Sequence, residues 1–240
     1  MVQEYLLNSE SQAGPTCVRV VEPADARLAT RLIYLLPVEA GDEDVYGNGL
    51  AEARHIGLSE RLSAILVAPT FSHLPWYADH PADPTIHQER YFVEDVVRLV
   101  RERHALPSDR VGLLGFSKSG WGAFSLLLRH PDVFGAACAW DAPLMLESPD
   151  RYGTADIFGT QENFERYRVA RLFETSAASL RAKRRLGLFG YGGFREDMQQ
   201  AHALLESLGV PHTYQDGPYR DHRWDGGWLD PVALELAAML

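Results

Sequence analysis

Val111-Gly112-Leu113-Leu114-Gly115-Phe116-Ser117-Lys118-Ser119-Gly120-Trp121-Gly122 is the stretch on which the reading of this chain turns. Residues 110–116 (RVGLLGF) form a short apolar run and predict a buried strand. Residues 120–129 predict a helix, closed by His130-Pro131. Ser117 falls at the sharp turn between them. A serine in that setting is held in a strained backbone conformation with its hydroxyl lifted out of the sheet, as an exposed nucleophile requires. The residues two before and two after it must be small, because the turn brings the strand and helix backbones together. Gly115 meets this need. Ser119 stands where a second glycine is usual, but it is small, and Gly120 and Gly122 follow it.

On either side of it, apolar runs at 18–21, 31–38 (RLIYLLPV), 64–68 (AILVA), 134–140 (FGAACAW) and 185–191 (RLGLFGY) predict further strands, and 212–215 is read as a last short strand. Helical spacing of apolar residues appears at 88–104 and 196–208, the latter ended by Gly209, and a closing helix is expected at 231–240. Strands alternating with helices predict one α/β domain over residues 1–240: a mostly parallel central sheet with helices on both faces. Residues 150–183 break the rhythm. Charged, aromatic and without a convincing strand, they predict a small helical insertion that covers the site as a lid.

Ligands of such sheets bind beyond the carboxyl ends of the strands, and that is where the other candidate residues fall. A serine nucleophile needs a base. Of nine histidines, His222 in Asp221-His222-Arg223-Trp224 follows the last strand, as the chain order serine, acid, histidine requires. His73, His80 and His87 precede Ser117 and suit a pocket rim or a solvated loop. The acid has two candidates. The loop after 185–191 carries Gly193 where a carboxylate is commonly found, with Asp197 one helical turn further on; Asp141 ends the preceding strand. Both stay open, with Asp141 placed first. An oxyanion hole needs two backbone N–H donors: Lys118, after the nucleophile, and Val38 or Glu39, in the loop after 31–38. The Lys118 side chain is expected to point to solvent. Among the aromatic residues near the predicted crevice (Phe71, Trp76, Tyr77, Trp140, Tyr191, Trp224 and Trp228), Trp76, Tyr77, Trp140 and Trp224 are taken as substrate-binding.

The chain resembles the esterases of the α/β-hydrolase superfamily, the group that includes esterase D, feruloyl esterase modules and mycolyltransferases. The resemblance lies in Tyr34-Leu35-Leu36-Pro37, in Ala68-Pro69 before Trp76-Tyr77-Ala78-Asp79, and in Gly115-Phe116-Ser117-Lys118-Ser119-Gly120. It extends to Leu128-Arg129-His130-Pro131-Asp132-Val133-Phe134 and to His222 near Trp224. It implies the α/β-hydrolase fold and a serine acyl hydrolase or acyltransferase without cofactor or metal. Ser119 for glycine and Gly193 in place of the acid are departures. The expected function is hydrolysis of a small or medium carboxylic ester. An acyltransferase sharing the same acyl-enzyme and a non-catalytic binding protein of this fold stay open beside it.

Bulk properties agree. The 240 residues are 46% hydrophobic and 23% charged, an ordinary globular composition. A formal net charge of −10 disfavours nucleic-acid partners. Cys17 and Cys138 read as reduced, buried thiols. With no basic region followed by an apolar run at the N-terminus, and no run of membrane-spanning length, a soluble cytoplasmic protein without a membrane partner is expected.

Overall fold

Strand β5 (Val111–Phe116) is buried along its whole length, and the sheet is arranged around it. The computed structural model describes residues 1–190 and 192–240. In chain order the strands are β1 (Val2–Leu7), β2 (Thr16–Val21), β3 (Arg31–Leu35), β4 (Ala64–Pro69), β5, β6 (Ala136–Trp140), β7 (Leu186–Phe189) and β8 (His212–Gln215). Among the described residues they form one eight-stranded sheet of order β1-β2-β4-β3-β5-β6-β7-β8. From β4 to β8 the pairing is parallel. β1 and β2 form an antiparallel edge.

Successive side chains of a strand point to opposite faces, so the sheet feeds two cores. Leu32, Tyr34, Leu113, Ala137 and Leu188 face one; Ile33, Leu35, Leu114, Cys138 and Phe189 face the other. The first face is covered by three groups of helices. One is a continuous helical stretch made of α3 (Gln88–Arg90), a π-helical segment (Tyr91–Val96) and α4 (Val97–Arg101). The second is α5 (Ser117–Arg129). The third comprises α8 (Val169–Leu180) and α9 (Arg195–Ser207). The second face is covered by α1 (Gly49–His55), α2 (Leu58–Leu62) and α10 (Leu229–Met239).

Several expectations change. The predicted strand 31–38 ends at Leu35, so residues 36–38 already belong to the loop beyond it. β1, α1 and α2 were not anticipated. The insertion folds as α6 (Ala155–Phe158), α7 (Gln161–Tyr167) and α8. Its Phe158, Phe164 and Tyr167 do not hang over the site: they are buried in the core of the α5 face. Phe158 lies edge-on to Trp121 at 5.4 Å. The end of the predicted strand 185–191, Tyr191, lies outside the described residues.

The Arg129-His130 segment that carried part of the resemblance holds helices together. Arg129 and His130 close on the buried Glu89 of α3, at 2.6 and 2.7 Å, and the Tyr167 hydroxyl of α7 donates to the same carboxylate at 3.1 Å. Burial opposes the charge on Glu89, but the hydrogen bonds from His130 and Arg129 outweigh it, and its pKa falls to about 2. Cys17 and Cys138 are buried free thiols. Among the described residues no helix is long and apolar enough to cross a membrane.

Candidate active site

The turn from β5 into α5 is tight. Ser117 has φ +50°, in the left-handed region that a non-glycine residue adopts only under constraint. A Cβ on Gly115 would sit 2.5 Å from the Ser119 carbonyl oxygen, so this position admits glycine alone. Ser119 does more than avoid a clash. Its hydroxyl donates to the Phe116 carbonyl (2.9 Å) and accepts the Phe116 N–H (3.1 Å), bracing the turn just before the serine. The Ser117 N–H donates to the Asp141 carbonyl at the end of β6 (3.1 Å).

Asp141 is also in the left-handed region, with φ +42°. Its carboxylate is buried and meets Nδ1 of His222 at 2.6 Å. Two backbone donors complete its shell: the Gly193 N–H reaches Oδ2 (3.1 Å) and the Phe194 N–H reaches Oδ1 (2.7 Å). The loop that lacks a carboxylate at Gly193 thus supplies amides that cradle the carboxylate of the neighbouring strand. Gly192 makes room for it, since a Cβ there would lie 2.2 Å from Asp141 Oδ2. Asp197, the other candidate acid, accepts the Met145 N–H (3.0 Å) instead. Burial pushes its pKa up, and the Met145 N–H partly offsets this. The imidazole of His222 is walled by the rings of Phe116 (5.0 Å), Phe194 (5.7 Å) and Tyr46 (5.8 Å). Phe194 and Tyr46 were missed from sequence. Nothing in a loop phenylalanine or tyrosine marks it as a neighbour of a histidine that is distant in the chain.

The loop beyond β3 carries Val38 and Glu39. Tyr77, read from sequence as a ligand contact, is wholly buried, and its hydroxyl donates to the Pro37 carbonyl at 2.6 Å. In a trans peptide C=O and N–H point in opposite directions, so this bond fixes the direction of the Val38 N–H. Among the described residues, neither the Val38 N–H nor the first-turn N–H of Lys118 donates to a backbone acceptor outside its own element. The Glu39 side chain turns away and accepts the Tyr46 N–H at 3.4 Å. The Lys118 side chain does not run out to solvent. It is half-buried, with Nζ 5.8 Å from the centre of the Tyr46 ring. Burial pulls its pKa down, with Glu39 opposing.

The tryptophans correct the expectation of a ligand lining. Trp76 and Trp140 are fully buried and offer a ligand no surface. Trp76 packs edge-on to Trp121 (5.7 Å); Trp140 stacks on Phe116 (5.0 Å). Rings this large fill the two cores beside the strand ends. Trp224 is buried too, but it borders a small depression with Val38 and Glu39. A second cleft, about 480 Å³, is lined by Phe194, Met145, Arg151, Tyr152 and Asp197 among others. His80 serves its own loop, where Nδ1 accepts the Ala82 and Asp83 N–H groups.

Neither a family model nor a curated protein sequence matches the chain. Solved structures do. A ferulic acid esterase superposes with TM-score 0.76 at 20% identity, covering 100% of this chain and 97% of its own. The fluorophosphonate-binding serine hydrolase FphF of Staphylococcus aureus gives 0.78 at 16% identity, covering 100% and 98%. An S-formylglutathione hydrolase from Agrobacterium tumefaciens gives 0.77 at 16%, covering 100% and 95%. The fold shared along the whole chain is the α/β-hydrolase fold.

Proposed function

We propose that this chain is a carboxylic-ester hydrolase that works through an acyl-enzyme on Ser117. One observation carries the proposal: the 2.6 Å contact between His222 Nδ1 and an Asp141 carboxylate already held by two backbone N–H groups, beside a strained serine at a strand-to-helix turn. A proton on Nδ1 leaves Nε2 with the free lone pair that a general base needs. Ser117 Oγ attacks the ester carbonyl while His222 Nε2 takes its proton. The carbonyl oxygen gains charge, which the Val38 and Lys118 N–H groups receive. As the tetrahedral intermediate collapses, the C–O bond to the alcohol breaks and the imidazolium returns the proton to the departing oxygen. Water, deprotonated by His222, then releases the acid and restores Ser117.

In this scheme Asp141 holds the tautomer and stabilises the imidazolium, Tyr77 positions a donor, and Ser119 braces the elbow. The gap at Gly193, which motivates a non-catalytic reading, has its counterpart in the Asp141 cradle. Structural neighbours named as a ferulic acid esterase, a serine hydrolase and an S-formylglutathione hydrolase support the same chemistry. Turnover of short p-nitrophenyl esters tests it. The wild type is expected to hydrolyse them and Ser117→Ala to fall to the uncatalysed rate. Turnover that survives Ser117→Ala excludes the proposal.

A further inference from the structure

A second group of chemically capable side chains lies at the opposite end of the sheet. His202, Glu206 and His212 each place one ligand atom within 4.8 Å of the others. His202 and Glu206 are one turn apart on α9 and share a face. His212 opens β8, where it pairs with Leu186 at the start of β7. Asp141, in contrast, follows the carboxyl end of β6. The cluster therefore sits at the amino ends of the parallel strands, away from Ser117.

Each imidazole is oriented by a separate contact. His212 Nδ1 lies 2.8 Å from the Val210 carbonyl. A carbonyl only accepts, so the proton is on Nδ1 and the lone pair on Nε2. That Nε2 faces His202 Nδ1 at 2.8 Å. The His202 ring is stacked on Tyr214, with centroids 4.2 Å apart and planes 12° from parallel. A histidine whose far nitrogen donates to a backbone carbonyl, with its near nitrogen turned toward a second imidazole and a carboxylate, has the arrangement of a metal ligand with its orienting partner.

We propose that His202 Nδ1, His212 Nε2 and the Glu206 carboxylate bind a divalent late transition-metal ion, zinc above others, with water in the fourth position. Two nitrogens at about 2.0–2.1 Å from a tetrahedral ion are roughly 3.3 Å apart, so the rings need separate by only about half an ångström. The proton between them moves to His202 Nε2, a change of tautomer without change of charge. Two imidazoles and one carboxylate suit zinc, cobalt, nickel or copper and disfavour calcium and magnesium, which take oxygen ligands. The bound ion would tie the last turns of α9 to β8, the edge strand at which the sheet order ends. Its role is to hold that edge, not to take part in ester cleavage.

The test is titration of the full chain, dialysed against chelator, with zinc chloride in a calorimeter. One equivalent is expected to bind, with a dissociation constant on the order of micromolar or tighter. At free zinc about a hundredfold above that constant, the ratio of folded to unfolded protein should rise about a hundredfold. Glu206→Gln, at an exposed position, should weaken binding roughly tenfold or more while keeping the fold, as read by circular dichroism; His202→Gln should abolish it. Cobalt should give the visible bands of a tetrahedral ion. Absence of binding at a hundred-micromolar zinc, or wild-type binding in both variants, overturns the proposal.

Discussion

Asp141 and His222 are 81 residues apart in sequence and 2.6 Å apart in space. Sequence alone left Asp141 and Asp197 as rivals, because each follows a strand and faces the crevice. What separates them is cross-strand geometry: Trp140 pairs with Phe189 in the sheet, which brings Asp141 against the amides of Gly193 and Phe194. Asp141→Asn should lower kcat by about 10⁴ through the wrong imidazole tautomer. Asp197→Asn should cost less than about tenfold, because its carboxylate is engaged by the Met145 N–H, which Asn still accepts. Esterase kinetics of the pair check this, and the reverse order would make Asp197 the acid. Gly192→Ala should also depress kcat strongly with the fold intact, since its Cβ has no room beside Asp141 Oδ2. Tyr77→Phe frees the Pro37–Val38 peptide to turn. It should lower kcat roughly tenfold with KM little changed, short of the 10²–10³ for loss of an oxyanion donor outright. A rise in KM alone would mean that Tyr77 acts on substrate binding.

Among the elements, those with dense apolar runs were legible: β4, β5 and β6 lie within a few residues of their expected ends, as do β2, β7, the more polar β8 and the helices α5, α9 and α10. β1, α1 and α2 escaped the sequence reading for physical reasons. β1 is an edge strand with exposed positions, Leu6 at 79%, so its pattern is blurred. α1 and α2 are short, with few buried positions each. The tryptophans were misread because position near a strand end does not distinguish core from cleft; that depends on which helices cover the face. The Arg129-His130 motif was read as a mark of family, and its contacts give it a job between elements. Glu89→Gln leaves Arg129 without its carboxylate in a largely buried network. It should destabilise the protein by about 3 kcal/mol in urea unfolding. A loss below about 1 kcal/mol would show the network to be dispensable.

At the scale of the whole molecule, Glu89 joins α3, the end of α5 and α7 of the insertion, so its ionisation bears on global stability. Its pKa falls from an ordinary 4.5 to about 2 in the fold. A depressed folded pKa contributes stability that is fully present above about 4.5 and lost as pH falls from there through about 2. At ~1.4 kcal/mol per unit the loss attributable to this group is about 3 kcal/mol. Urea midpoints measured between neutral pH and pH 2 should show it, and Glu89→Gln should flatten that part of the curve. The proposed nucleophile is one oxygen atom, Ser117 Oγ, marked in the sequence by its strand-turn-helix setting and supported by the 2.6 Å contact of Asp141 with His222. Incubation with a fluorophosphonate probe, followed by intact-mass measurement and peptide mapping, addresses it most directly. A single adduct on Ser117 in the wild type, much slower in Asp141→Asn and absent in Ser117→Ala, is the expected result; an unlabelled wild type, or a Ser117→Ala protein that labels equally well, contradicts it.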